Sequence, residues 1–251
     1  MRKLFFPVFF ACLFIIILMS GCTTGQTRLL LSPIPPTATP LPTRTPVPTS
    51  TSMSISVLPF YDSQGTQIQV GEYSEQLKTD DLQLLTAMAQ EMAQQKEILT
   101  PEQMYVLAIR LYDLGDKDNS IYWYYEAQFR ARLFQQAIEP AQYININDRT
   151  FELTTAYDSF QKLAGEYING YAGCNLDNWV KFTKMVKDDN PVPPELHKIF
   201  PDVIFVKQEQ WQAINDEVSV GLGKLIDYIS ENGETIKQQR AQQNMDSQFC
   251  N

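Results

Sequence analysis

Histidine is nearly missing from this chain: His197 is the only one in 251 residues. That scarcity excludes a His-x-x-x-His zinc site. It also leaves any serine or cysteine triad dependent on one imidazole in a proline-rich connector, where it reads as a surface residue. A dinucleotide loop is missing as well, because Gly221-Leu222-Gly223 lies within a helical pattern without the preceding strand and third glycine; close helix packing is the simpler reading. Asp116-Lys117-Asp118-Asn119-Ser120 begins like a calcium loop, but Ile121 stands where the tight turn needs glycine and Ala127 where a bidentate glutamate belongs. A turn between two helices accounts for those residues better. The sequence therefore carries no cofactor, metal or catalytic signature.

Acidic residues are absent from the first 54 positions. Arg2 and Lys3 precede an apolar run from Leu4 to Met19, interrupted by Pro7, which has the length of a secretory h-region and is short for a membrane span. Leu18-Met19-Ser20-Gly21-Cys22 closes the run and reads as a lipobox, with residues 1–21 as a lipoprotein signal peptide and Cys22 as the lipidated residue. Met19 departs from the usual leucine, and ordinary secretion with Cys22 as a leftover thiol is the alternative. Thr23 and Thr24 supply no aspartate retention cue. Residues 22–54 form a Pro/Thr-rich tether, with seven prolines and one charge between positions 32 and 54. Such a composition cannot bury a core and favours polyproline II, reaching roughly 100 Å at about 3.1 Å per residue.

Residues 55–251 remain as the globular part, enough for one domain with a full core. Of the 20 basic residues, Arg2, Lys3, Arg28 and Arg44 lie before it, so 16 basic residues face 29 acidic ones and the net charge is −13. A surface so acidic argues against nucleic acid and against anionic headgroups as ligands; cationic partners or metal ions fit better, and a merely solvated acidic surface is the commoner alternative. Cys12 leaves with the signal and Cys22 is acylated, so Cys174 and Cys250 remain. In an oxidising compartment they suggest a disulfide stapling the C-terminal tail to the body, with two free thiols as the alternative.

Helical signals dominate from Lys78 onward. Thr79 with Asp80 and Asp81 starts a helix whose Leu82, Leu85, Met88, Ala89 and Met92 share one face to about Lys96. Thr100-Pro101-Glu102-Gln103 is a capping box with proline at the first helical position, opening a helix that ends at Gly115. Further helices are expected from about Asn119 to Ile138, Asp148 to Tyr171, Asn175 to Lys187, and Lys207 to Ser230, the last closed by Gly233. Ser54 to Phe60 and Gln67 to Val70 flank turn chemistry and suggest a short hairpin or extended arm, and Val203 to Val206 is a further strand candidate. The expected fold is all-α: a compact helical domain with a minor N-terminal β-hairpin or arm.

Leu107-Ala108, Leu111, Gly115, Ser120, Tyr124 and Ala127 sit at the spacings of a tetratricopeptide-type helix pair, and no second copy follows around Arg149. A solenoid needs several repeats to bury a continuous core, so one pair inside a larger helical domain is expected. Three segments, Ala108 to Gly115, Tyr122 to Arg132 and Gly165 to Ala172, resemble a family of uncharacterised bacterial proteins containing one tetratricopeptide or Sel1-like helix pair, over about Leu77 to Arg240. That family has no established activity, so the resemblance implies the fold and transfers no catalytic residue. Its members tend to carry an aromatic and Gly-Asp after the Tyr-Ala step, where this chain has Gly173-Cys174-Asn175, so the Cys174–Cys250 pair draws no support from it.

Tyr122, Trp123, Tyr124 and Tyr125 sweep roughly 300° of a helix at about 100° per residue. Either that helix is central, or some of the rings face a ligand or partner. Glu126 and Arg130 stand four apart as an intrahelical ion pair; with Trp123 and Arg132 in a cleft, the arginines would instead hold a carboxylate. Glu166 is the carboxylate that neighbouring aromatics would desolvate into a general acid, although spacing marks no second carboxylate beside it. These residues make a candidate ligand or partner face of Tyr122, Trp123, Glu126, Arg130, Arg132 and Glu166. The leading expectation is a non-enzymatic, membrane-anchored extracytoplasmic lipoprotein acting as an interaction or assembly module with an envelope protein partner. An envelope glycan-binding protein or hydrolase is the rival, and an immunity-type self-protection protein is a third reading.

Overall fold

The capping box at Thr100 anchors the architecture. In the computed structural model, which describes residues 70–144 and 148–250, Thr100 Oγ1 accepts from the Gln103 amide at 3.4 Å while Gln103 Oε1 accepts from the Thr100 amide at 2.9 Å. Gln103 Nε2 also reaches the Val70 carbonyl at 3.1 Å, tying the start of the described chain to this helix. The expected signal peptide, Cys22, the tether and the arm before Val70 lie outside the described residues.

Among the described residues the fold is mainly helical. The helices are α1 (Leu82–Gln94), α2 (Pro101–Asp113), α3 (Lys117–Ala137), α4 (Arg149–Ala172), α5 (Leu176–Asp188), α6 (Leu196–Ile199), α7 (Trp211–Glu231), α8 (Gly233–Gln242) and α9 (Met245–Phe249). Side-chain caps set several starts: Asp81 rather than Thr79 caps α1, and Asp116, Asp148 and Asn175 cap α3, α4 and α5. Asp116 is thus absorbed by a helix start, as the turn reading of the calcium-like segment requires.

Helices α2 and α3 pack along one another, and Gly115 makes the corner at φ +96°, a conformation that disfavours any side chain. Leu107, Ala108 and Leu111 on α2 and Ser120, Tyr124 and Ala127 on α3 are all fully buried, so the small residues let the pair approach. Helix α3 then meets α4, α5 and α7 on its other sides. That placement answers the four-aromatic puzzle: Trp123, Tyr124 and Tyr125 are buried in different directions, and Tyr122 is half-buried.

The strand candidate Val203–Val206 forms only an isolated antiparallel bridge between Phe205 and Ile138, with the Val206 amide on the Ala137 carbonyl at 2.8 Å. Two helical expectations are corrected. Gly233 does not close α7; it is the first residue of α8, after Asn232 ends the preceding helix. Gly221 and Gly223 do not mediate a close helix crossing, since Gly221 opens on free space and Gly223 meets only the end of Lys187.

Helix α4 does contain close-approach glycines. Gly165 lies directly against the Tyr124 hydroxyl, which donates to the Gln161 carbonyl at 3.0 Å. A Cβ at Gly170 would stand 2.6 Å from the Phe249 ring. Glycine inside a helix costs about 1 kcal/mol relative to alanine, so these positions trade propensity for packing. Gly165→Ala is expected to destabilise the protein by about 2 kcal/mol in urea denaturation, because overpacking outweighs the propensity gain. In a Tyr124→Phe background, where the offending hydroxyl is gone, the added cost should fall below about 0.5 kcal/mol.

Candidate functional site

Because Glu126 and Arg130 are one helical turn apart on the central helix, whatever encloses α3 encloses them. Glu126 is 0% exposed and Arg130 3%, and Arg130 Nε donates to Glu126 Oε1 at 3.1 Å. Asn190, just beyond α5, donates through Nδ2 to Glu126 Oε2 at 2.6 Å and to the Val186 carbonyl at 2.8 Å. Asn215 on α7 donates to the Asn190 carbonyl at 3.0 Å, so the same chain of bonds reaches a third helix. Lys96, from the turn between α1 and α2, adds a second cation 3.7 Å from Glu126 Oε1. Arg130 Nη1, Asn190 Oδ1 and Asn215 Oδ1 are buried without a protein hydrogen-bond partner, which marks the cluster as polar but not saturated.

The candidate face is therefore divided. Trp123, Glu126 and Arg130 are core residues, and Tyr122 covers the edge of the cluster by donating to Asp189 Oδ2 at 2.8 Å. Arg132 and Glu166 are exposed. Arg132 thus does not join Arg130 in a carboxylate clamp, because helix positions two apart diverge by about 200°. Glu166 faces water on α4, not the aromatic enclosure expected for a general acid. His197 is exposed, with its ring centre 5.1 Å from that of Trp211.

A buried carboxylate does exist elsewhere. Glu102, in the first turn of α2, is 6% exposed and accepts from the Tyr157 hydroxyl of α4 at 3.0 Å. Burial raises its pKa above the ordinary glutamate value, against the lowering pull of hydrogen bonds at the helix start and of Arg149. Nothing in the spacing of Glu102 separates it from an ordinary first-turn glutamate; only the Tyr157 partner reveals it. Arg110 is another residue that the pattern hides. Its guanidinium is 2% exposed and binds the Leu77 carbonyl at 3.0 Å, the Thr79 carbonyl at 2.7 Å and Asp80 Oδ1 at 2.8 Å.

Cys174 at the end of α4 and Cys250 after α9 are joined by a disulfide. Arg240 of α8 lies against it, with Nη2 3.4 Å from Cys174 Sγ and 3.5 Å from Cys250 Sγ, while its Nε donates to Asp246 Oδ1 at 2.9 Å. A separate open groove of about 540 Å³ runs beside α1, lined by Glu75, Gln76, Lys78, Thr79, Leu84, Ala87, Met88 and Glu91. Leu84 is 61% exposed there, between acidic groups, and none of the expected site residues lines this groove.

No family model matches this chain, and no solved structure does. It is similar to an uncharacterized protein of Haemophilus influenzae, 30% identical over 79 residues, which is 32% of this chain and 28% of that protein. The chain thus matches little more than a quarter of that relative's length, and the relative's name carries no activity.

The pH response of Glu102 follows from its raised folded value. A raised pKa means that the folded protein holds the proton more tightly than the unfolded chain. The stabilisation is complete below the unfolded glutamate pKa and is lost as pH rises through the folded one. Glu102→Gln, which stays neutral and keeps an acceptor for Tyr157, should therefore gain stability relative to the native protein between pH 4 and pH 7 in urea titrations. A constant difference across that range would contradict the burial argument.

Proposed function

We propose that this protein is a membrane-anchored extracytoplasmic lipoprotein, held through Cys22 and its Pro/Thr tether, whose helical domain works as a non-enzymatic interaction or assembly module. The observation that carries the second half is the burial of Glu126 and Arg130 in the packed interior. Glu126 and Arg130, the residues best suited to hold a glycan or to act on one, are satisfied mainly by each other, by Lys96 and by Asn190, and neither lines the groove beside α1. An envelope glycan-binding protein or hydrolase needs those groups open to solvent. Surfaces that stay open instead combine acid with apolar side chains, as in the groove at Leu84 between Glu75 and Glu91 and on α4 at Leu163, Glu166 and Tyr167. A basic, partly apolar protein partner suits them.

The anchor is tested by fractionation: the native protein should partition with membranes and into detergent, and Cys22→Ala should move to the soluble exported fraction. Full membrane retention of that variant would contradict the anchor. For the module, the intact protein should retain an envelope protein in a salt-sensitive manner, and Leu84→Glu or Leu163→Glu should release it. Cleavage or tight retention of purified envelope glycan fragments would instead favour the rival reading.

A further inference from the structure

We propose that the Cys174–Cys250 disulfide is a thiol-exchange site, opened by a small or protein dithiol and served by Arg240, rather than an inert staple. Arg240 is the one buried residue of α8, an otherwise polar helix. The space for its guanidinium exists because residue 173 is glycine, against whose missing Cβ the group packs. The fold thus inserts a buried cation between α4 and the two sulfurs, nearly equidistant from both.

Disulfide sulfurs are weak acceptors, so this cation contributes little in the closed form. A thiolate carries a full charge and takes a charge-assisted hydrogen bond. Arg240 therefore favours the open form over the closed one, which lowers the thiol pKa and makes the bond easier to reduce. One thiolate of the dithiol attacks either cysteine sulfur, the S–S bond breaks, and its electron pair leaves on the other sulfur as a thiolate facing Nη2. The second thiol of the dithiol, deprotonated, then displaces the first cysteine from the mixed disulfide. Two electrons pass to the cysteine pair, the dithiol becomes a disulfide, and the two protons its thiols gave up stay in solvent except where a cysteine thiolate takes one back. Both cysteines lie at the surface with their sulfurs half-buried, which leaves an approach for the attacking thiol. Phe249 against Gly170 and Arg240 with Asp246 are contacts that hold the tail near its partner for reclosure.

A metal is the competing occupant of the open form, since ligand atoms of Cys174, Cys250 and Asp246 lie within 4.8 Å of one another. The guanidinium beside the sulfurs opposes a dication and favours bare thiolates, and it decides between the two.

The test equilibrates the intact native protein, Arg240→Met and Asp246→Asn with mixtures of reduced and oxidised dithiothreitol, followed by acid trapping and mass analysis. The native disulfide should be half-reduced at a reduced-to-oxidised ratio about tenfold lower than in Arg240→Met. Asp246→Asn, which frees the guanidinium of its counter-charge, should be reduced at a lower ratio than the native protein. In the reduced proteins, alkylation should begin at lower pH with Arg240 than without it. A purely structural arginine predicts the opposite sign, because its loss loosens the tail and makes the bond easier to reduce. Equal or reversed midpoints would overturn the proposal. Should Arg240→Met fail to fold, Arg240→Gln, which keeps a hydrogen-bond donor without the charge, takes its place, and a half-reduction ratio equal to or below that of the native protein overturns the proposal.

Discussion

A single buried carboxylate, Glu126, sets the terms for the rest of this domain. A glutamate side chain with 0% exposure is tolerated only where opposite charge and hydrogen-bond donors surround it. Here those partners come from four places in the chain: Arg130 on the same helix, Lys96 ahead of α2, Asn190 after α5, and Asn215 on α7 through Asn190. Such a pair adds little net stability against a well-packed apolar alternative, but it penalises arrangements that leave the charge unpaired. The packing of α5 and α7 around α3 is thereby specified as well as stabilised.

Two more buried arginines repeat the device at the ends of the described chain. Arg110 draws the carbonyls of Leu77 and Thr79 onto α2, giving the segment before α1 hydrogen-bond partners that no regular element supplies. At the C-terminus Arg240 instead ties α8 to α9 through Asp246 and lies against the disulfide, where the two helices offer few apolar groups of their own. Residues that would suit ligand recognition are thus largely occupied in holding the domain together. What faces outward is acidic surface interrupted by single apolar side chains, which suits recognition by another protein.

Much of the helical layout is legible in the sequence because it is written in local chemistry. The Thr100 capping box, the Asp148 and Asn175 starts and the Gly115 corner each involve residues within four positions of one another. Helices α8 and α9 are not legible for the complementary reason. Their larger residues are polar apart from Ile236, Met245 and Phe249, and their positions depend on Phe249 reaching Gly170 and on Cys250 reaching Cys174, contacts of long sequence separation. The candidate face suffered from the same limit: four-residue spacing identifies the Glu126–Arg130 pair, but only tertiary packing decides whether it faces a cleft or the core. Glu166 fell on the solvent side of α4 although aromatic residues flank it in sequence.

The central claim is that Glu126 and Arg130 act as one structural unit inside the core. A double-mutant cycle with Glu126→Leu and Arg130→Met, followed by urea unfolding, tests it directly. Each single variant should lose about 3 to 5 kcal/mol, because it strands a buried charge, and the double variant should recover at least about 2 kcal/mol of the summed loss. Losses that add within about 0.5 kcal/mol, or single variants as stable as the native protein, would contradict the account and return these residues to candidacy as a ligand site.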